Sequence, residues 1–493
     1  MILAVINNKF NYELEKLCRI YLPFEKIEIV DTECDAENIA VARLTKGERE
    51  TTLYASLCLD GKRAEHTAFV PNSAEDYDDR CELTLATQLL YCFYDITGYI
   101  SPWGILTGVR PAKLFSRLSA DMGVDGAEEY FKNTLLVSDK KISLCKATRK
   151  GEEEITSLSR PESYSLYISV PFCPSRCTYC SFVSHSVEHA KKLIPQYVEL
   201  LCEELKITAK YARENGLRLE TVYMGGGTPT TLSAQQLKTV LTTVFDCFDT
   251  SHLRELTVEA GRPDTITEEK LSVLKAMGVT RISINPQTMN DDVLAAIGRR
   301  HTAKQTEEAF SLARRVGFDN INMDLIAGLP SDTYENFCDT LSKITHLAPE
   351  SVTVHSLSMK RASALSTGGI LPDTEKGKEA AKMVETAEKV LAQNGIVPYY
   401  MYRQSKTVGN LENVGYSVPQ KECLYNVYIM DETHTILACG ASAVTKLRQP
   451  CGSYIERIFN YKYPYEYITR FDELMDRKAR IGEFYEAYGR IHQ

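Results

Sequence analysis

The chain has 493 residues, 44% hydrophobic and 25% charged, with a net charge of −9. That length gives two or three domains and a sizeable core, and the composition is that of a globular protein. The acidic balance leaves no general nucleic-acid footprint, and no run of about 18 apolar residues is present to span a bilayer.

The opening "MILAVINNKFNYELEK" has no basic stretch followed by an apolar one, so no signal peptide is expected; it reads as a strand, Ile2–Ile6, entering a folded domain. "KIEIVD", "NIAVARLT" and "TTLYASLCL" read as further strands, and "CELTLATQLLYCFYDITG" has helical periodicity. These form an α+β domain over 1–155, with "KATRKGEEE" near 146–154 expected as a charged linker. From about 164 short apolar runs recur: "SLYISV", "TVYMGG", "ELTVEA", "RISINP", "INMDLIAG" and "SVTVHSL". Helix-like segments lie between them. Strand and helix in alternation mean βαβ units and a parallel sheet. Six repeats suit a partial (β/α)6 barrel over 160–370, with its site at the carboxyl ends of the strands. Residues 371–493 form a C-terminal extension with a long helix, "EKGKEAAKMVETAEKVLAQNG", and a strand-like "TILACGASAVTK", expected to cover the substrate side. The fold class is therefore α/β.

The fifteen cysteines are an odd number in a chain with no secretion signal, which points to free thiols in a reducing cytoplasm. Twelve are scattered in apolar patterns and read as small buried hydrophobes. The other three crowd into "YISVPFCPSRCTYCSF": Cys173, Cys177 and Cys180, spaced Cx3Cx2C just after a strand. Zinc would want a fourth ligand, for which His185 and His189 are near. A 4Fe–4S cluster normally takes four thiolates; with three, one iron stays open to an exogenous ligand. Pro171 and Pro174 stiffen the loop. One apolar run later comes "GGGTP", Gly225–Pro229, whose glycines let backbone approach a ligand.

The spacing, with Tyr179 before the last cysteine, resembles the radical S-adenosylmethionine (SAM) superfamily. That resemblance implies a cluster whose open iron chelates the amino and carboxylate groups of SAM, and an electron that cleaves the sulfonium to a 5′-deoxyadenosyl radical. Further pieces resemble the anaerobic coproporphyrinogen oxidases: Tyr167 six residues before the first cysteine, Glu259 in "LTVEAGRPDTIT", Gln287 in "RISINPQ", Arg299 in "IGRRH" and Asp324 in "NMDLIAGLP". The resemblance implies that Tyr167, Gly226 and Glu259 contact one SAM molecule, and that Gln287, Arg299 and Asp324 lie with Gly227 and Thr228 near a second. "SPWGILTGVRPAKLF" and "YRQSKTVGNLENVGYS" resemble the longer coproporphyrinogen dehydrogenases of Firmicutes. The implied reaction is oxidative decarboxylation of coproporphyrinogen III propionates to vinyl groups, giving protoporphyrinogen IX. Its electrons come from an external donor of flavodoxin or ferredoxin type.

The sequence departs from the oxidases at Phe182, where they carry one more cysteine; the haem-chaperone branch of the family has phenylalanine there. A haem-binding protein, with His355 as one candidate ligand, therefore stands as an alternative, as does a radical SAM enzyme acting on another substrate such as RNA. The propionates would call for cations, and Arg262, Arg299, Arg300, Lys360, Arg361 and Arg403 are the candidates.

Overall fold

The computed structural model describes residues 1–180, 185–358 and 374–489. The chain divides into two compact units, one of residues 1–149, 356–385 and 401–413, the other of 150–355, 386–400 and 414–493.

The first unit carries a five-stranded sheet of β1 (Ile2–Ile6), β2 (Glu28–Val30), β3 (Ile39–Lys46), β4 (Glu50–Leu59) and β5 (Lys62–Pro71), in the order β2-β1-β3-β4-β5. β1 pairs in parallel with β2 and β3, while β3, β4 and β5 form an antiparallel meander. The alternation of "TTLYASLCL" puts Leu53, Ala55, Leu57 and Leu59 on the buried face, where the helix Tyr77–Thr97 contributes Cys81, Leu85, Leu89 and Phe93. The stretch expected as a charged linker is helix, Asp139–Thr156. Most of its charges occupy the outer positions, but Lys141 and Glu152 are buried along with Ile142, Leu144, Cys145 and Ile155. An apolar stripe at helical spacing outweighed the local charge density.

The second unit is built on an eleven-stranded sheet. Its centre holds β6 (Ser163–Val170), β9 (Arg218–Gly226), β10 (Glu255–Glu259), β11 (Arg281–Ser283), β12 (Ile321–Ala327) and β13 (Ser351–Ser356), side by side in chain order. Pairing from β6 through β12 is parallel. This is the (β/α)6 arrangement read from the recurring apolar runs, and all six strands lie where those runs do. The strands are buried on both faces, where Val, Ile, Leu and Met alternate with small hydroxyl residues such as Ser165, Ser169, Thr221, Thr257 and Thr353, also buried.

Several crossover helices begin at side-chain caps. Ser233 with Gln236 and Thr302 with Gln305 form capping boxes for the helices Ala234–Cys247 and Ala303–Val316, and Thr267 and Thr333 cap two more. Each cap satisfies an orphan backbone N–H and is worth about 1 kcal/mol.

The sheet extends beyond the six strands. β14 (Val397–Arg403) and β15 (Glu412–Ser417) lie past β13; β16 (Thr435–Cys439), β17 (Val444–Arg448) and β18 (Ile455–Phe459) lie past β6. β16 pairs in parallel with β6, setting Ala438 beside Tyr167. The C-terminal stretch thus supplies strands to the barrel sheet rather than a cover alone. No helix among the described residues is long and apolar enough to cross a membrane.

Candidate active site at the strand carboxyl ends

β6 ends at Val170 and runs into the cysteine loop. Its two ends are tied by a short parallel pair, β7 (Phe172–Cys173) with β8 (His185–Ser186), and by His185 N donating to Pro171 O at 2.9 Å. Within the loop Thr178 N donates to Ile297 O at 3.1 Å, and Ser175 Oγ to Gly298 O at 3.1 Å. Cys177 is 8% exposed; Cys173 and Cys180 are partly exposed. None of the fifteen cysteines is in a disulfide.

β9 brings the glycine turn to this loop. Gly227 N donates to Val170 O at 2.8 Å, and Thr228 Oγ1 donates to Cys173 Sγ at 3.5 Å. A Cβ on Gly227 would lie 2.6 Å from Phe172 O, one on Gly225 2.8 Å from the Tyr223 ring, and Gly226 holds φ +111°. Only glycine fits a turn that close to its neighbours.

β10 contributes Glu259. Tyr223 OH donates to Glu259 Oε1 at 2.6 Å. Burial pushes the Glu259 carboxyl up to about 7; the Tyr223 hydrogen bond pulls it down, and Asp324 pushes it further up. Register places Tyr167 beside Tyr223, and their rings stack at 6.2 Å between centroids. Tyr425 stacks on both, at 6.0 and 4.6 Å. Tyr425 was not foreseen: it stands some 200 residues away in sequence from Tyr223. It is delivered by the helix Leu424–Asp431, whose first N–H groups, Leu424 at 2.7 Å and Tyr425 at 3.3 Å, donate to the Glu255 carboxylate at the start of β10.

β11 and β12 carry the other residues singled out in the sequence. Gln287 sits at φ +73°, its N donating to Asp324 O at 2.9 Å while Ile326 N donates to Gln287 O at 3.0 Å. A left-handed glutamine is strained, and this backbone bridge holds it. Asp324 accepts from Asn322 Nδ2 at 2.7 Å, and His355 Nε2 lies 3.8 Å from its other oxygen. Burial raises the Asp324 carboxyl, but the His355 and Asn322 contacts outweigh it, and the group is held below the ordinary range. Arg299 donates to Tyr179 OH at 3.0 Å and to Asn285 O. Burial pushes the Tyr179 hydroxyl upward; the Arg299 charge works against it without reversing the shift.

Of the candidate propionate cations, Arg403 is already engaged: it is buried, donates to Leu106 O at 2.6 Å and Gly108 O at 3.2 Å, and lies over the Trp103 ring. Burial lowers its pKa to about 10. Arg262 is also buried, with its guanidinium on Asp264 and Ser175. Arg300 is exposed and 3.4 Å from Glu188. Phe182, Lys360, Arg361 and the His189 side chain lie outside the described residues.

Two metal chemistries are open to this donor set. Among the described residues no three His, Cys, Asp or Glu side chains converge on a point that could hold one ion. Zinc needs such convergence. A 4Fe–4S cluster does not, because each thiolate binds a different iron. The separated thiols, the close-packed glycine turn, and the donors Thr228 to Cys173 Sγ and Arg262 to Cys177 Sγ fit a cluster.

Residues 167–344 match the Radical SAM superfamily. The chain is 35% identical over 487 residues to the oxygen-independent coproporphyrinogen-III oxidase-like protein HemZ of Bacillus subtilis, covering 97% of each. It belongs to that family of radical SAM proteins. It is also 34% identical over 241 residues to the heme chaperone HemW of Bacillus subtilis, covering 48% of this chain and 62% of that one. Among solved structures, the coproporphyrinogen III oxidase HemN of Escherichia coli, titled a radical SAM enzyme, matches with a TM-score of 0.50 and 22% identity. That match covers 65% of this chain and 72% of the other, and it establishes the shared fold. Membership of the radical SAM superfamily brings with it a 4Fe–4S cluster and SAM as cofactors.

Proposed function

We propose that this chain is a radical SAM oxidoreductase that decarboxylates propionate side chains of coproporphyrinogen III to the vinyl groups of protoporphyrinogen IX. Cys173, Cys177 and Cys180 would hold the cluster. The observation that carries this reading is the junction of the two motif loops: Thr228 donates to Cys173 Sγ, and Gly227 N is bonded to the last residue of β6. A turn that only glycine can make thus lies directly against thiolates that would leave one iron open. When bound, cluster and SAM supply a one-electron cleavage of the sulfonium and a radical able to take a β-hydrogen from a propionate, whose loss of carbon dioxide and of one electron to an external acceptor would leave the vinyl group.

The chain's own residues bind, orient and exclude water. Tyr223 fixes the rotamer of Glu259 so that its remaining lone pairs face the glycine turn, ready to accept from an amino group or ribose hydroxyls. Tyr167, Tyr223 and Tyr425 form an apolar wall beside that carboxylate. Tyr179 and Arg299 hold each other, which keeps a guanidinium on hand for a carboxylate. Asp324, kept ionised by His355 and Asn322, is an acceptor of fixed charge. In this reading Tyr167, Gly226 and Glu259 serve one SAM molecule, and Gly227, Thr228, Gln287, Arg299 and Asp324 serve a second. The core 160–370 carries the chemistry, flanked by the front domain 1–155 and the extension 371–493. The reading includes an external flavodoxin- or ferredoxin-type donor and a cytoplasmic location, in keeping with fifteen cysteines outside any disulfide.

The test is anaerobic turnover with reductant, SAM and coproporphyrinogen III. Protoporphyrinogen and 5′-deoxyadenosine formed together, and abolished by Cys177→Ala, are expected. A second reading, haem binding, draws on the similarity to the heme chaperone and on His355 beside Asp324. Stoichiometric haem uptake without either product would favour it.

A further inference from the structure

The guanidinium of Arg262 lies under the cysteine loop, where a propionate could not reach it. It is 3% exposed. Nη1 donates to Cys177 Sγ at 3.7 Å, and Nη1 and Nη2 donate to Ser175 Oγ at 3.1 and 3.2 Å. Nε and Nη2 grip the two Asp264 oxygens, both at 3.0 Å. Arg262 precedes and Asp264 lies within the turn Pro263–Thr265 after β10, which places both next to the loop. Two other groups face this pair. Arg299 is held by Tyr179. His301 Nδ1 lies 4.0 Å from Asp264 Oδ1, and burial with the two arginines lowers its pKa to about 3, so it adds no charge.

A buried cation bonded to a thiol sulfur costs desolvation, and a structural arginine would need only its carboxylate partner. The bond to sulfur is the part that structure alone does not require. We propose that Arg262 and Asp264 are a positioning pair that sets the reduction potential of the cluster on Cys177, Arg262 raising it and Asp264 restraining it. This rests on the reading that Cys177 is a cluster ligand.

The physical argument is one of charge. Reduction of the cluster adds one electron from an external one-electron donor; no bond forms or breaks and no proton is needed. The reduced state is more negative by one unit, so a guanidinium hydrogen-bonded to a ligating sulfur stabilises it and moves the potential up. Asp264, bidentate on the same guanidinium, draws some of that positive charge away from the sulfur and moves the potential down. The two residues therefore act with opposite signs on one observable, which a merely structural pair would not do.

The experiment is an EPR-monitored redox titration of the anaerobically reconstituted full-length chain, without SAM, with iron and sulfide content measured alongside. Arg262→Gln is expected to keep its cluster and to show roughly a tenfold lower ratio of reduced to oxidised cluster at the wild-type midpoint, a shift of about 59 mV to more negative potential. Asp264→Asn is expected to shift the opposite way, and Arg262→Lys to stay close to wild type. Unchanged potentials in loaded variants, or shifts of the same sign, would overturn the inference. Should Arg262→Gln fail to hold a cluster, Asp264→Asn decides alone: an upward shift supports the pair, and no shift overturns it. A wild-type chain that takes up no cluster would instead overturn the ligand reading on which this stands.

Discussion

Glu259 is a carboxyl whose folded pKa, about 7, stands above its ordinary value of 4.5, chiefly because it is desolvated. The folded chain therefore binds that proton more tightly than the unfolded one. The associated stability is fully present below about pH 4.5 and is lost as pH rises through 7. Glu259→Gln should accordingly stabilise the chain at pH 8, by roughly 3 kcal/mol at most, since each pKa unit is worth about 1.4 kcal/mol. Denaturant melts at pH 5 and pH 8 check this: the gain should be much larger at the higher pH. In SAM binding the same residue works the other way. An ionised acceptor is wanted, so wild-type affinity should weaken as pH falls through 7, and calorimetry on Glu259→Gln should find weak, pH-independent binding. Tyr223→Phe removes the bond that lowers this pKa and should carry the wild-type midpoint above 7.

At the same scale, most of the candidate site was legible because its residues follow strand ends in a fixed order. Cys173, Gly226, Glu259 and Gln287 each come at or just past a strand's last apolar residue. Tyr425 had no such signal. An aromatic on a short helix reaches the site only because Glu255 happens to accept the first N–H groups of that helix. Arg262 and Arg403 were read as candidate propionate cations because a sequence gives charge but not partner. The structure buries both.

Among the elements, the glycine turn after β9 carries the tightest constraint. A Cβ at 227 would need to move Phe172 O by several tenths of an ångström, and that carbonyl belongs to the strand that enters the cysteine loop. Gly227→Ala should cost about 1–3 kcal/mol by overpacking and, more tellingly, lower the iron content after reconstitution. Thermal unfolding and iron assay on one preparation check both. The six central strands were readable because each is a short stretch rich in Val, Ile, Leu or Met, mostly alternating with small or polar residues and closed by Gly or a polar residue. The helix Asp139–Thr156 was not, because its buried stripe is interrupted by charges that locally look like a linker. The pairing of β16 with β6 was also out of reach, since strand order beyond a βαβ series depends on long-range pairing and leaves no local pattern.

Over the whole molecule, each unit holds a buried charge pair. In the first, Glu412 accepts from Lys141 and from Trp103 Nε1, the latter at 2.7 Å. In the second, Lys478 and Glu204 meet at 2.8 Å with both side chains fully buried, and Glu204 also accepts from Gly440 N, Asn460 and Tyr467 OH. Glu204 lies on the helix Ile194–Glu214 and Gly440 follows β16, so this network ties the late part of the chain to the barrel. Breaking one partner of such a pair strands a charge, and Lys478→Met should cost about 3–5 kcal/mol in urea unfolding. The twelve scattered cysteines are mostly core, as read from the sequence, but Cys34 and Cys451 are exposed and do not pack as hydrophobes.

The central claim is that the carboxyl ends of β6, β9 and β10 hold a cluster and SAM for radical chemistry. Its most direct test is anaerobic reconstitution of the wild-type chain and of Cys177→Ala, with iron and sulfide counted and 5′-deoxyadenosine assayed after adding SAM and reductant. The account predicts about four irons and four sulfides per wild-type chain, as a 4Fe–4S cluster requires, with nucleoside formed, and loss of both in the variant. A wild-type chain that takes up no iron and sulfide, or a cluster and nucleoside that persist in Cys177→Ala, would contradict it.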